Sequence, residues 1–382
     1  MHQADLRNTH DPSASRWPKL VVTAVLLVLA AGCAGVPQGA SKQVDLLFAP
    51  LATGVQPGAA VMVIRRGRIV HQAGYGYADL ERRVPITADS AFNLASVSKQ
   101  FTAMAVMVLA ASGDLGYDDP VSQYLPQLSP YKGVTIRQLI THTGGLPDYY
   151  DIIDTRYGMP RNSEALTLLG DMATPDFPPG ERFAYSNSGY DMLGPLVEAV
   201  SGTDFATFMR ERVFAPAGMR HSLIHDHTLP MIASRAYGYE PIGDGFRLYD
   251  DDPLNGIVGS GSMYSTLNDL FRWDQALYTD TLLGRSALDE AFVSARLNDG
   301  TAVDYGFGWR LDEYDGRRRV RHGGSWVGFR THIARYPDER FTVVILANRA
   351  DLQPEIYIDA ITDIYLSSQG GEAQKQAGTA RQ

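Results

Sequence analysis

The chain contains a single cysteine, Cys33, and this count limits how its 382 residues can be held together. One cysteine excludes an intrachain disulfide and any zinc or iron–sulfur site that needs two or more thiolates. Apolar residues make up 45% of the chain, which is enough at this length for a large buried core. Core packing must therefore hold the fold together. At roughly 150 residues per domain, the length predicts two or three domains, or one large fold.

The charge balance bears on the kind of partner the chain can have. It carries 34 Lys and Arg against 43 Asp and Glu, a net charge of −9. Because a nucleic-acid binder needs a positive face for the phosphates, we expect no nucleic-acid partner. Only five of the basic residues are lysines, so arginine carries most of the positive charge. A lysine in an apolar stretch is then notable, since lysine can lose its proton and arginine cannot.

The cysteine follows a segment typical of exported proteins. Arg16 and Lys19 precede the apolar run Leu20–Gly32, which is too short to span a bilayer and suits a signal-peptide core. Small residues directly before Cys33 resemble the bacterial lipoprotein box, whose cysteine becomes the lipidated first residue. The alternative is an ordinary secretory signal with a chance cysteine. Both predict export; the first predicts a lipid anchor on Cys33 in the cell envelope, facing the periplasm.

The rest of the chain divides by composition. We expect a signal peptide over residues 1–32, a flexible tether over 33–43 and a folded domain over 44–366. The polar stretch 367–382, rich in Gly, Gln and Ala, predicts a disordered tail.

Strand patterns lie near both ends of the folded domain and helical patterns lie between them. Ala59–Ile64 and Arg68–Ala73 flank Arg66-Gly67, a hairpin signal. Further strand-like runs fall between 309 and 347, and a closing amphipathic helix follows them. We predict an α+β fold with one antiparallel sheet built from both chain ends and flanked by helices. The sheet lobe would comprise about 44–114 and 300–366, with an inserted, mainly helical lobe over about 115–299.

A possible nucleophile lies just before the most apolar helix. Ser96 and Lys99 form an S-x-x-K, and Phe101–Ala111 after them has the pattern of a buried helix. Three residues are close to one helical turn, so both side chains share a face. A buried lysine can serve as the base that a serine nucleophile needs. The structural alternative is a helix-capping serine followed by a lysine that extends to solvent.

The spacing alone is weak, because Ser129 and Lys132 match it too. Ser129 precedes a proline and Gly133 ends any helix there, so we interpret this second match as a surface turn.

Two later motifs make the weak S-x-x-K signal more specific. Tyr185-Ser186-Asn187 follows a Pro/Gly loop, and His322-Gly323-Gly324-Ser325 lies at the end of a strand-like run. S-x-x-K, Y-x-N and a basic residue–x–Gly in this order resemble the serine β-lactamase and penicillin-binding-protein superfamily, most closely its class C, DD-peptidase and esterase branch. The resemblance extends over about 44–366 and implies a β-lactamase/transpeptidase-like fold. The absence of a G-x-S-x-G elbow disfavours an α/β-hydrolase.

The resemblance implies a role for each motif residue. Ser96 would be the acylated nucleophile, Lys99 would hold the proton network, and Tyr185 would act as general base and acid. Since tyrosine ionises near pH 10, positive charge from Lys99 and from His322 is expected to stabilise its anion. Asn187, His322 and Gly324 would bind substrate. The backbone N–H groups of Ser96 and Ser325 would form the oxyanion hole.

One position departs from the class C pattern. The third motif has histidine where class C β-lactamases usually carry lysine, which looks more like the peptidase and esterase relatives. A neutral imidazole binds a carboxylate less well than an ammonium group. We therefore expect carboxypeptidase or esterase activity rather than strong β-lactamase activity.

Other chemistry-bearing residues have plainer interpretations. His142-Thr143-Gly144 runs into a turn, so we interpret it as structural. His221, His225, Asp226 and His227 lie among Pro and Gly residues and are expected to be solvated loop residues rather than metal ligands. Five aromatic residues can line a cleft or pack the core, and the sequence leaves both open: Tyr149, Tyr150, Tyr305, Trp309 and Trp326.

Two hypotheses of function remain. The first is an exported serine hydrolase that forms an acyl-enzyme on a peptide, ester or β-lactam. The second is a catalytically silent protein that binds cell-wall peptides or a partner. The intact triad Ser96, Lys99 and Tyr185 favours the enzyme. The resemblance implies no cofactor and no metal.

Overall fold

The computed structural model describes residues 37–150, 152–156, 158–225 and 232–367. Residues 39–367 of this description belong to one compact unit. The predicted signal peptide, Cys33 and nearly all of the predicted tail lie outside the described residues.

Fifteen strands occur in the described residues. In chain order they are β1 (Ala59–Arg65), β2 (Arg68–Tyr75), β3 (Tyr77–Asp79), β4 (Val84–Pro85), β5 (Phe92–Asn93), β6 (Leu223–Ile224), β7 (Tyr239–Ile242), β8 (Gly245–Leu248), β9 (Met263–Ser265), β10 (Ala295–Arg296), β11 (Ala302–Val303), β12 (Arg310–Tyr314), β13 (Arg317–Trp326), β14 (Phe329–Tyr336) and β15 (Phe341–Ala347).

The principal sheet joins the two ends of the domain. Its order is β12-β13-β14-β15-β1-β2, and every neighbouring pair is antiparallel. The strands β1 and β15, inner strands of this sheet, are buried along their whole length, as expected from sequences that are apolar except for Arg65 and Thr342. Arg66 and Gly67 both have positive φ, as a two-residue hairpin turn needs, and they close the predicted β1–β2 hairpin.

Helices and short helical turns make up most of the remainder. The α-helices are α1 (Ala40–Phe48), α2 (Lys99–Ser112), α3 (Ile136–Ile140), α4 (Asn162–Met172), α5 (Asn187–Asp191), α6 (Leu193–Ser201), α7 (Phe205–Phe208), α8 (Ala215–Ala217), α9 (Leu267–Ala276), α10 (Arg285–Asp289) and α11 (Pro354–Leu366). A π-helical segment, Met209–Phe214, joins α7 to α8.

The sheet separates two apolar cores. Because side chains alternate along a strand, Val61 and Val63 of β1 pack on one side with α1 and α11. Ala60, Met62 and Ile64 face the other side and contact the larger core around α2 and α9. The helix α2 is buried from Lys99 to Leu109, so it lies inside this core as its sequence predicts.

The structure confirms the predicted α+β class and the antiparallel sheet. The N-terminal boundary was wrong: α1 begins at Ala40, inside the predicted tether 33–43. The reason is packing, since Ala40, Val44 and Phe48 are buried against the sheet. The proposed division into a sheet lobe and a helical lobe stays a prediction.

In the part of the chain described here, no helix is both long enough and apolar enough to cross a bilayer.

Candidate active site

Ser96 lies on a tight turn between a strand and the buried helix. The short strand β5 pairs with β9, and the Leu94 N–H donates to the Met263 carbonyl at 2.8 Å. Ala95 has a φ of 48°, a conformation that costs a non-glycine residue of the order of 1 kcal/mol. Its N–H donates to Asn93 Oδ1 at 2.8 Å, which holds the turn. The result is a half-buried Ser96 in the helical turn that leads into α2.

Strand β13 lies against this turn. A Cβ added at Gly324 would clash with the Leu94 carbonyl oxygen and with Thr331 Oγ1. The Thr331 hydroxyl donates to the same carbonyl at 2.7 Å, so β13 and β14 both contact the residues before Ser96. Gly324, predicted to bind substrate, is thus also the residue that lets the strand approach the nucleophile turn.

Lys99 is fully buried at the start of α2 and makes three hydrogen bonds. Its Nζ donates to Ser96 Oγ at 3.2 Å, to Asn187 Oδ1 at 2.8 Å and to the Ser260 carbonyl at 2.9 Å. An ammonium group has three protons and no acceptor, so this set satisfies it completely. The structure therefore brings Ser96, Lys99 and Asn187 together, as the motifs predicted.

The contact with Lys99 orients Asn187. The ammonium only donates, so Oδ1 faces Lys99 and the amide nitrogen is available as a donor on its other side. Asn187 opens helix α5, whose N-cap Ser186 accepts a hydrogen bond from the Gly189 N–H at 3.0 Å. The second motif, Tyr185-Ser186-Asn187, thus lies where an extended segment meets the capped start of helix α5.

Tyr185 is held by ring contacts. Lys99 Nζ lies 4.9 Å from its ring centroid, and the His142 ring lies 4.3 Å away. Within the described residues its hydroxyl makes no hydrogen bond to Ser96 or Lys99. The ammonium therefore faces the tyrosine ring, and this arrangement is a cation–π contact.

His142, predicted to be structural, belongs to this site. It has a φ of 59° and its Nδ1 accepts from the Ser186 N–H at 3.1 Å. Its ring packs between Tyr185, Tyr190 and Tyr305. Burial, then the charge of Lys99, holds the His142 pKa well below its usual value, so the ring is neutral. His142 supports the Tyr185 ring, which the turn signal around it did not reveal.

His322 is buried and both of its ring nitrogens have protein partners. Nδ1 lies 2.7 Å from the Gly323 carbonyl, which can only accept, so Nδ1 carries the proton. Nε2 then accepts from the Tyr305 hydroxyl at 2.9 Å. Burial, followed by the charge of Lys99, holds the His322 pKa well below its usual value. The expectation that His322 adds positive charge beside Tyr185 is therefore wrong.

Arg310 supplies the cation that the sequence analysis missed. It begins strand β12, and its guanidinium carbon lies 5.6 Å from the Tyr185 ring centroid. Among the described residues, no carboxylate lies within ion-pair distance of it. The segment Tyr305–Trp309 leads directly into it. In the sequence, the position of Arg310 directly after Tyr305–Trp309 could have indicated this cation.

A small cleft opens beside Ser96. Its walls are formed by Ala95, Ser96, Tyr150, Asn187, Leu254, Ile257, Ser260, Gly261, Ser262, Ser325 and Trp326. Trp326 is held by a 2.5 Å hydrogen bond from its indole N–H to Asn255 Oδ1. Ser325, predicted for the oxyanion hole, thus lies on the same cleft as Ser96. Of the five aromatic residues left open above, only Tyr150 and Trp326 line it.

The remaining aromatic residues are internal. Tyr149, Tyr305 and Trp309 are essentially fully buried. Ser129 and Lys132 are exposed near a helical turn, as predicted for the second S-x-x-K.

Two of the histidines predicted to be solvated differ in their exposure to solvent, and the prediction is wrong for His225. The His221 side chain is largely exposed, whereas His225 is buried beside Tyr264. Asp226 and His227 lie outside the described residues. In the described ranges, no three His, Cys, Asp or Glu side chains are grouped closely enough to hold a metal ion.

Comparison with known proteins assigns the family. The model of the beta-lactamase family matches residues 44–363, so the chain belongs to the beta-lactamase family. This membership supports a serine hydrolase.

Three relatives illustrate the similarity. Penicillin-binding protein 4* of Bacillus subtilis (strain 168) is 36% identical over 330 residues, covering 82% of this chain and 73% of that protein. A D-aminopeptidase of Brucella anthropi is 32% identical over 305 residues, covering 76% of this chain but only 56% of its own length. The crystal structure of a penicillin binding protein from Bacillus halodurans gives a TM-score of 0.72 at 30% identity, covering 85% of this chain and 98% of that one.

Proposed function

We propose that the chain is an exported serine hydrolase that cleaves an amide or ester through an acyl-enzyme on Ser96. One observation carries the proposal: a fully buried Lys99 donates at once to Ser96 Oγ and Asn187 Oδ1. A buried charge without a function is costly, and hydrogen bonds of this kind orient a nucleophile and its proton acceptor. The membership in the beta-lactamase family supports the same reaction class.

The reaction would proceed in two steps. Ser96 Oγ attacks the substrate carbonyl carbon as its proton passes either to Lys99 in its neutral amine form, which lies 3.2 Å away, or to Tyr185 in its anionic form, whose ring adjoins Lys99 Nζ. The backbone N–H groups of Ser96 and Ser325 stabilise the oxyanion. The leaving amine or alcohol then takes the proton as its bond to carbon breaks. Water attacks the acyl-enzyme by the reverse proton path and releases Ser96.

Two relatives and the charge state of His322 support the proposed substrate class. The names of two relatives, a penicillin-binding protein and a D-aminopeptidase, support peptides of D-amino acids of the D-Ala-D-Ala type, with esters and β-lactams as the alternatives. His322 is neutral and its nitrogens are occupied, so it does not replace the lysine of class C enzymes. This supports peptidase or esterase activity over strong β-lactamase activity. Asn187 and Gly324 would bind the substrate backbone beside Ser96.

The proposed location rests on the sequence. Export and a lipid on Cys33, in the cell envelope facing the periplasm, remain a proposal because these residues lie outside the described ranges. Labelling of cells with a fatty-acid analogue tests it: the wild-type chain should be labelled and Cys33→Ala should not. Labelling of both chains alike would contradict the anchor at Cys33.

Intact mass spectrometry tests the activity. The purified protein is incubated with a fluorescent penicillin, with a p-nitrophenyl ester and with a D-alanyl peptide. We expect an adduct of the acyl mass on Ser96, absent in Ser96→Ala. The matched control is Ser129→Ala, which removes the serine of the exposed second S-x-x-K and should react like the wild type.

Two results together would contradict the hydrolase proposal. If no substrate is turned over and Ser96→Ala behaves like the wild type, the hydrolase proposal is wrong. Retained binding of a D-alanyl peptide without turnover would then support the silent binding protein instead.

A further inference from the structure

The buried carboxylate of Asp191 is a titratable group that the reaction above does not use. Asp191 is 0% exposed and is the last residue of α5, the helix that begins with Asn187. The two residues are four apart, so they lie on one face of the helix. Asn187 on this face already accepts a hydrogen bond from Lys99.

Among the described residues, this carboxylate accepts hydrogen bonds from Ser260, Tyr149 and Tyr150, and the first and last of these line the cleft beside Ser96. Its Oδ1 accepts from the Ser260 N–H at 2.9 Å. Its Oδ2 accepts from the Tyr149 hydroxyl at 2.7 Å and from the Tyr150 hydroxyl at 3.0 Å. Tyr150 also lies 3.0 Å from Ser260 Oγ, and both residues line the cleft beside Ser96.

Ser260 links Asp191 to Lys99. Its N–H is bound by Asp191, and its carbonyl accepts from Lys99 Nζ at 2.9 Å. The preceding residue is held as well, because the Thr102 hydroxyl of α2 donates to the Gly259 carbonyl at 2.7 Å. A Cβ at Gly259 would clash with the Tyr190 carbonyl, so this segment lies tightly on α5. Displacement of the Ser260 N–H would therefore displace the acceptor of Lys99.

We propose that Asp191 is a positioning residue for Lys99: through Ser260 it fixes one of the three acceptors of the ammonium, and its charge stabilises that ammonium beside Ser96. The proposal deepens the function proposed above and rests on it. A buried cation without a nearby anion would be unfavourable, and the charge of Lys99 favours the ionised form of the fully buried Asp191.

The charged and titratable groups around the pair are few. Asp191 faces Tyr149, Tyr150 and Lys99. The groups around Lys99 are Tyr185, Tyr190, His142 and His322, with Arg310 beyond them. Burial of both histidines keeps them neutral, so their ionisation does not compensate for the loss of the Asp191 charge. Burial also raises the pKa of Asp191, which Tyr149 and Ser260 partly oppose.

The test measures the titration of Lys99 directly and needs no enzymatic activity. The full chain is prepared with ¹³C-labelled lysine, and the Cε signal missing in Lys99→Met is assigned to Lys99 among the five lysines. In Asp191→Asn, which keeps the shape of the side chain, we expect the midpoint of the Lys99 titration to fall, because a buried negative charge that favours the ammonium is lost. The control Asp148→Asn removes an exposed charge nearby and should leave the midpoint unchanged.

The wild-type protein supplies a second measurement in case Asp191→Asn does not fold. The Lys99 signal should show a smaller inflection in acid as Asp191 takes up its proton. In Tyr149→Phe this inflection should move to higher pH, because the carboxylate loses a hydrogen bond that favours its charged form. An inflection that Tyr149→Phe leaves in place belongs to another group, and that result would overturn the proposal.

Enzymatic activity then separates the two proposals. If Ser96 is acylated, the pH profile of acylation in Asp191→Asn should shift to lower pH by the amount seen for Lys99. An unchanged midpoint of Lys99 overturns the role of Asp191, whatever the activity. A shifted midpoint in a protein that never acylates leaves the pairing of Asp191 with Lys99 intact and overturns only the hydrolase proposal.

Discussion

At the scale of single residues, Arg310 places a positive charge beside the Tyr185 ring. Its guanidinium lies near the Tyr185 ring, and among the described residues no carboxylate lies within ion-pair distance of it. His322 is neutral and hydrogen-bonded at both nitrogens. A bidentate guanidinium is well suited to a carboxylate, so this residue is the candidate for recognising a free acid on the substrate.

Replacement of this arginine should therefore discriminate between substrates. In Arg310→Gln we expect KM for a D-alanyl peptide with a free carboxyl end to rise roughly tenfold, the loss of one charged hydrogen-bonded contact. KM for the same peptide with a carboxamide end should not change. Steady-state kinetics on the pair measures this, with the exposed Arg318→Gln as control. Equal losses on both peptides would contradict a role in carboxylate recognition.

The residue scale also shows where the sequence was informative. Ser96, Lys99 and Asn187 meet because their motifs determine the local geometry. One helical turn places Lys99 beside Ser96, and Asn187 lies at the start of helix α5. The protonation state of His322 could not be predicted from the sequence. It depends on the Tyr305 hydroxyl and on the burial of the ring, and neither is a property of the histidine's own motif.

At the scale of elements, the contact of β13 with the nucleophile turn is the geometry on which the site depends. The strand can lie there because Gly324 has no Cβ, and Thr331 of β14 binds the same Leu94 carbonyl. The strand runs beyond its pairing with β12, whose last partner is Arg321, so its end is free to face the turn. The third motif therefore contributes to the site mainly through the position of its backbone at Gly324.

A methyl group at this glycine should separate the strand from the turn. In Gly324→Ala we expect acylation of Ser96 to fall at least about tenfold, since small misplacements near reacting atoms are costly. The free energy of unfolding should fall by about 1–3 kcal/mol, the usual effect of overpacking. Mass spectrometry and urea unfolding measure the two. Gly245→Ala, at an exposed hairpin position with space for a Cβ, is the control and should change neither.

The elements themselves were largely predictable. The strand Phe341–Ala347 and the helix α2 are predominantly apolar, and a buried position accommodates such segments. Helix α9 begins after Thr266, whose hydroxyl accepts a hydrogen bond from the Asp269 N–H. The start of α1 at Ala40 was missed, because its burial depends on a sheet formed mostly by the other end of the chain.

At the scale of the whole molecule, buried histidines make stability depend on pH. His142, His322 and His332 are nearly inaccessible to solvent, and burial lowers the pKa of each in the folded state. In the unfolded chain these side chains take up protons below about pH 6.5. The unfolded state then binds more protons than the folded one, so the free energy of unfolding falls as the pH drops.

Unfolding measurements at several pH values check this. We expect full stability above about pH 6.5 and a progressive loss below it, toward pH 5. In His332→Gln the loss should be smaller, because one of the buried groups is gone. The exposed His221→Gln is the control and should keep the wild-type slope. A free energy of unfolding that does not vary between pH 8 and pH 5 would contradict the prediction.

The sequence by itself determined the fold class, the buried helix behind Ser96 and the order of the three motifs, because these depend on local patterns of apolar residues and turns. It also determined that no disulfide can form within these 382 residues, since Cys33 is their single cysteine. Only the tertiary structure decided the electrostatics of the site. Lys99 binds the carbonyl of Ser260, 161 residues away, and Asp191 is placed behind that residue. Charge states follow from burial and from neighbours distant in the chain, and folding alone brings those together.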